Sequence, residues 1–71
     1  MEREIFIEGE MIRLGQLLKL AGVADSGAEI KLLLADAEVR VNGVPESRRG
    51  RQLHPGDTVV LGEDELRVAA G

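Results

Sequence analysis

Apolar residues recur every three or four positions between Ile12 and Ala37 and every second position from Val39 onward. The chain therefore changes hydrophobic period part-way along its length. A helix buries a stripe at about 3.6 residues per turn and a strand buries alternate positions, so no segment satisfies both patterns. In the first half, Leu14, Leu17, Leu18 and Ala21 share one arc, while Gln16 and Lys19 fall on the opposite side. That predicts an amphipathic helix starting near Ile12, with Gly22 placed to terminate it. A second helix is predicted from Ser26, because Ser26 and Glu29 have the spacing of a capping box in which each side chain satisfies an unpaired backbone N–H. Ile30, Leu33, Leu34 and Ala37 would form its apolar face, with Lys31 beside it. Two helices joined by only residues 22–25 should pack as an antiparallel or angled pair.

The alternating half is punctuated by turns. Residues 3–7 predict a short opening strand with Ile5 and Ile7 on one face and Phe6 on the other, ended by Gly9. Val39 and Val41 alternate with Arg40 and Asn42, and Asn42-Gly43 is a strong short-range hairpin signal. Residues 44–47 are the predicted return strand, with Pro45 confining it to an edge or an irregular stretch. Residues 48–53 read as a basic loop, and His54-Pro55-Gly56-Asp57 as a type II turn. Thr58–Leu61 reads as a buried strand, residues 62–64 as a turn and residues 65–69 as the last strand. A strand, two helices and several strands within 71 residues make a single small α+β domain spanning residues 1–71. A core that size is only just sufficient for a fold.

Composition narrows the function. With no cysteine and one histidine, His54, the chain cannot assemble a thiolate metal site, a cysteine nucleophile or a catalytic triad. Its carboxylates cluster at turns and in the opening residues, where solvation explains them. The expectation is a non-enzymatic protein with no catalytic residue, metal, cofactor or small-molecule substrate. No apolar stretch approaches the roughly 20 residues that span a bilayer, and the opening Met1-Glu2-Arg3-Glu4 is not that of an export signal. A cytoplasmic, membrane-free location is expected.

A net charge of −4 opposes polyanion binding in bulk, but the charge is unevenly placed. Arg40, Arg48, Arg49 and Arg51 face a single acid, Glu46, between residues 40 and 54, while acids dominate both ends. Guanidinium forks match phosphate oxygens and keep their charge at cellular pH. Alone, an arginine run of this kind is better explained by a solvated surface. Ser26, Gly27 and Ala28 leave the start of the second helix unobstructed for a phosphate, although the capping box alone accounts for Ser26. Phe6 is the only aromatic residue, so stacking of single-stranded bases is not the expected mode. Asn42 and Gly43 are assigned to turn chemistry in preference to contacts.

Taken in order, the stretch from Ile12 to Gly22, the stretch from Ser26 to Ala35, Val39-Arg40-Val41-Asn42-Gly43 and Leu53-His54-Pro55-Gly56-Asp57 resemble the S-four RNA-binding domain. That domain, also called the αL motif, is named after protein four of the small ribosomal subunit. The resemblance covers residues 12–61 and is nearest to small free-standing bacterial members. Gly27 stands where the broader family commonly has an arginine, and Gly15 where it commonly has an aspartate. The resemblance implies two packed helices against a mainly antiparallel sheet of about four to five short strands. It also implies binding of structured RNA, ribosomal or transfer, on a surface of the helices and the following hairpin. That surface would include Arg13, Lys19, Ser26, Gly27, Lys31, Arg40, Arg48, Arg49 and Arg51. The implied partner is RNA, with a ribosomal subunit as one setting, and a chain this small can act as a monomer. The alternative from another class is a protein-interaction module that docks an acidic partner through the arginine loop.

Overall fold

The first helical stripe forms a helix that is shorter than its periodicity suggests. In the computed structural model, which describes residues 2–36 and 38–71, Ile12–Arg13 is a two-residue strand, β2, and the helix α1 runs Leu14–Leu20. The strand β1 (Glu2–Ile7) precedes them, and the helix α2 (Gly27–Asp36) follows. Ile12 is drawn into extended backbone because it pairs with Leu53 across an antiparallel ladder. Gly22 ends α1 as its position predicts. Its φ is +76°, its N–H donates to Lys19 O (3.0 Å), and the Val23 N–H donates to Leu18 O (3.0 Å). This pair of bonds is a Schellman cap.

At α2 the expected reciprocal cap forms in part. The Glu29 N–H donates to Ser26 Oγ (3.2 Å), but the Glu29 carboxylate accepts from the Asp25 N–H (3.4 Å) rather than from Ser26. Ile30 and Leu34 are buried, Leu33 is half-buried, and Ala37, assigned to the same face from sequence, lies outside the described residues.

The remaining strands are β3 (Val39–Val41), β4 (Val44–Pro45), β5 (Gln52–Leu53), β6 (Thr58–Leu61) and β7 (Asp64–Ala70). Five of them form one sheet in the order β1-β7-β6-β3-β4, and β2 and β5 form a second, two-stranded sheet. All pairs are antiparallel except β1 with β7, which run parallel from Glu2 opposite Glu65 to Ile7 opposite Ala70. The Asn42-Gly43 hairpin has both φ values positive, +52° and +83°, as a type I′ turn requires. Asn42 does more than turn the chain: its Nδ2 donates to Asp57 Oδ1 (3.1 Å) and its Oδ1 accepts from the Thr58 N–H (2.9 Å). The return strand is only half its expected length. Pro45 brings no N–H to the ladder, and beyond it the Glu46 carboxylate turns the chain by accepting the Ser47 and Arg48 N–H groups, each at 3.1 Å. Pro55-Gly56 makes the predicted turn, with Gly56 at φ +100° and the Asp57 N–H donating to His54 O (2.9 Å).

One apolar core joins the layers. Leu14, Leu17 and Leu18 of α1 and Ile30 and Leu34 of α2 pack with Ile5, Val41, Val59, Leu66 and Val68 of the main sheet and Leu53 of the small one. Among the described residues the core includes no polar or charged side chain. Strand alternation follows the pleat: Ile5 and Ile7 point inward, while Glu4 and Phe6 are exposed.

Candidate nucleic-acid interface

The arginine loop is not a free loop. It is stitched to the start of α1 by its own backbone. The Leu14 N–H donates to Arg51 O (2.8 Å) and the Gly15 N–H to Arg49 O (2.9 Å), so two helix-start donors that lack an intrahelical partner are met by loop carbonyls. The Arg13 N–H is met by Gln16 Oε1 (3.2 Å). Gly15 permits the approach. A Cβ there would lie 3.4 Å from Arg49 Cβ and 3.5 Å from Arg49 O, so a side chain longer than alanine would push the loop away.

This anchoring separates the three loop arginines. Arg48 and Arg51 turn to one side and share one carboxylate. Glu46 accepts from Arg48 Nε and Nη2, and from Arg51 Nη1, each at 3.1 Å. The Glu46 side chain is only 8% exposed, whereas that of Arg48 is 75% exposed. The Arg48 side chain and its backbone N–H, followed by Arg51, hold the Glu46 carboxyl down from an ordinary 4.5 to about 2, against the opposing effect of burial. The same hydrogen bond, with the Glu46 charge behind it, raises Arg48. Arg48 and Arg51 line a concavity with Gln52, His54 and Asp57. The Asp57 carboxyl is also lowered, chiefly by the His54 N–H (2.8 Å) and then by the Asn42 side chain.

Arg49 turns the other way. With Arg13, Lys19 and Gly27 it lines a depression of about 250 Å³ between the starts of the two helices. With Lys31, Ala35 and Ser47 it lines a second groove of about 470 Å³ along α2. Arg49 thus joins two hollows into one surface on which Arg13, Lys19, Lys31 and Arg49 lie. None of these four has a carboxylate partner among the described residues; Arg13 Nη1 donates only to Gly50 O (3.3 Å). Arg49 Nη1 would lie 3.7 Å from a Cβ at Gly27, so the guanidinium stands over the open first turn of α2.

Arg40 stands apart from both groups. Its Nη2 pairs with Glu38 at 2.6 Å and its Nη1 donates to Gly43 O at 3.2 Å. The Ser26 hydroxyl is occupied as the cap of α2. Three participants were missed from sequence. Gln16 and Ser47 line the cationic hollows, and Glu46 organises the loop. The signal for Glu46 was its place two residues before Arg48 in a turn, which a charge count treats only as a subtraction. Among the described residues no three His, Cys, Asp or Glu side chains converge where a metal could sit.

Sequence comparisons place the chain in a family. The S4 domain profile matches residues 5–69, nearly the whole chain. This chain belongs to the S4 domain family. Its relatives include "Probable ribosome maturation protein RlbA" of Bacillus subtilis (strain 168), 52% identical over 86% of both chains. They also include YbcJ of Escherichia coli (strain K12), named as a candidate RNA-binding protein, 36% identical over 83% of this chain and 84% of that one. The α+β architecture fits the S4 domain.

The Glu46 carboxylate, hydrogen-bonded to Arg48 and Arg51, makes the loop acid-sensitive. A carboxyl whose folded pKa is depressed stabilises the fold above its unfolded value and loses that contribution as pH falls through the folded one. The window here runs from about pH 4.5 down to about pH 2. Glu46→Gln is expected to be less stable than the native chain near neutral pH and to lose less stability across that window. Urea unfolding at several pH values reads both effects.

Proposed function

We propose that this protein binds structured RNA, ribosomal RNA in the first place and transfer RNA as the other candidate, without catalysing a reaction. One observation carries the reading: Arg13, Lys19, Lys31 and Arg49, all without carboxylate partners among the described residues, line two neighbouring hollows that share Arg49. Cations held this way exchange counterions for phosphates, and a concave surface suits a helical backbone better than splayed bases. Membership of the S4 domain family supports the reading, as do the printed names of the relatives, one of ribosome maturation and one of RNA binding. Arg48 and Arg51 form a flank already half-neutralised by Glu46, and Arg40 contributes least, its charge being spent on Glu38. Ser26 and Gly27 serve by keeping the first turn of α2 ordered and uncovered. Action as a monomer in the cytoplasm is consistent with these features.

The side chains available support the non-enzymatic reading. The only imidazole, His54, sits in a turn with its backbone held by Asp57, and no cysteine is present. Docking of an acidic protein through the arginine loop is the competing reading, and Glu46 leaves less charge free for it. RNase treatment before co-purification separates the two, since a protein partner would survive it.

Filter binding to ribosomal RNA fragments over a range of salt tests the proposal. If about four cations contact phosphate, log affinity should fall against log salt with a slope on the order of −3 to −4. Arg49→Ala should flatten that slope by about one, and Arg48→Ala by less. A salt-independent affinity, or equal effects of the two variants, would sink this assignment.

A further inference from the structure

Helix α2 has three distinct sides. At about 100° per residue, Ile30 and Leu34 lie on the side buried in the core, and Lys31 and Ala35 lie on the side facing Arg49. Glu29, Leu32, Leu33 and Asp36 fill the remaining side. With Val23 and Ala24 they line a groove of about 390 Å³ that none of the cationic residues borders. Leu32 is 62% exposed, among the most exposed large apolar side chains of the protein, and Val23 and Leu33 are half-buried beneath it. Glu29 and Asp36 close its two ends. They are seven residues apart on one helix, or roughly 10 Å at 1.5 Å per residue. Neither carboxylate is in an ion pair among the described residues, and Asp25 adds a third exposed acid beside them.

We infer that this groove docks a cationic amphipathic helix of a partner protein. The occupant would carry one or two leucine-like residues for the Val23, Leu32 and Leu33 floor, and a Lys or Arg at each end to meet Glu29 and Asp36. Complementary charge selects this occupant over two others. A second copy docked groove against groove would set acid against acid, and RNA would set phosphate against carboxylate; both are repulsive. The other exposed apolar cluster, Phe6, Met11 and Leu20, has no such selectivity. Glu8 is the one charged residue that lines it, so it has no acid at each end to select a partner by charge. The docking groove and the cationic surface occupy different sides of α2, so RNA and a protein could be held together. The inference does not depend on the RNA reading.

The test uses a dye-labelled synthetic helical peptide with Lys at positions i and i+7 and Leu at i+3 and i+4, and a control in which both leucines are serine. Titrated into the intact protein, the leucine peptide should bind at least about tenfold more tightly than the control of equal charge. Its amide shifts should centre on Val23, Ala24, Leu32 and Leu33. Leu32→Ser and Asp36→Lys should each cut that affinity by about tenfold or more without lowering RNA affinity. Both side chains are exposed, so both variants should fold. If Leu32→Ser does not, Asp36→Lys and the shift map decide alone. Equal binding of the two peptides, shifts centred on Phe6 and Leu20, or loss of RNA affinity in Asp36→Lys would overturn the inference. So would a concentration-dependent dimer that the same substitution dissolves.

Discussion

Reversing Arg49 and Lys31 together, as Arg49→Glu with Lys31→Glu, is expected to cut affinity for ribosomal RNA duplexes by on the order of a hundredfold or more at moderate salt. The two side chains flank the same groove, and Arg49 also reaches the depression shared by Arg13, Lys19 and Gly27. Reversal does more than remove two phosphate contacts. It places two carboxylates where the polyanion must pass, so attraction becomes repulsion at the junction of both hollows. Neither residue is in an ion pair among the described residues, and both are exposed, so the fold loses no partner. Stability should stay within about 0.5 kcal/mol of the native chain. The comparison is Arg48→Ala, which leaves Glu46 paired with Arg51 and should weaken binding far less. Filter binding with parallel thermal unfolding reads both quantities. A larger loss from Arg48→Ala would move the interface to the Glu46 side of the loop.

The second large effect is on the fold. Leu53→Ala should destabilise the protein by about 2–5 kcal/mol, the cost of removing a buried leucine and leaving a cavity. A core of this size supplies only about 3–5 kcal/mol in all, so a substantial fraction of the variant should be unfolded at room temperature. Leu53 has no exposed surface, belongs to the central cluster and pairs with Ile12. It is the apolar pin that holds the loop carbonyls of Arg49 and Arg51 against the start of α1. Losing it should therefore release the loop and the Arg49 guanidinium together. Gln52→Ala, at the exposed neighbouring position, should stay within about 0.5 kcal/mol. Urea unfolding followed by circular dichroism distinguishes the two. A native-like midpoint for Leu53→Ala would show that the loop is anchored elsewhere.

These expectations differ in where they were legible. The leucines of α1, the Gly22 cap, the Asn42-Gly43 and Pro55-Gly56 turns and the inward face of β1 were readable along the chain. Each is set by residues within a few positions of one another: a stripe on one helical turn, a pleat, or a positive φ that asparagine and glycine tolerate. The S-four resemblance rested on the order of those same local features.

The candidate interface was legible only in its list of cations. Sequence grouped Arg48, Arg49 and Arg51 as one loop. Tertiary structure divided them, because the carbonyls of Arg49 and Arg51 bond to the start of α1 and send Arg49 toward the helices, while Glu46 collects the other two. The parallel pairing of β1 with β7 joins opposite ends of the chain, and the pairing of Ile12 with Leu53 converts a predicted first turn of helix into strand. No local period encodes either. Such contacts are chosen by which distant backbone groups can satisfy one another around a shared core, and that choice exists only once the core has closed. By itself, then, the sequence determined the helices, the main turns and the basic stretch of the surface, but not the short strands β2 and β5. The tertiary structure decided which cations lie together, because backbone bonds to the start of α1 and the Glu46 carboxylate set where the loop guanidinium groups point.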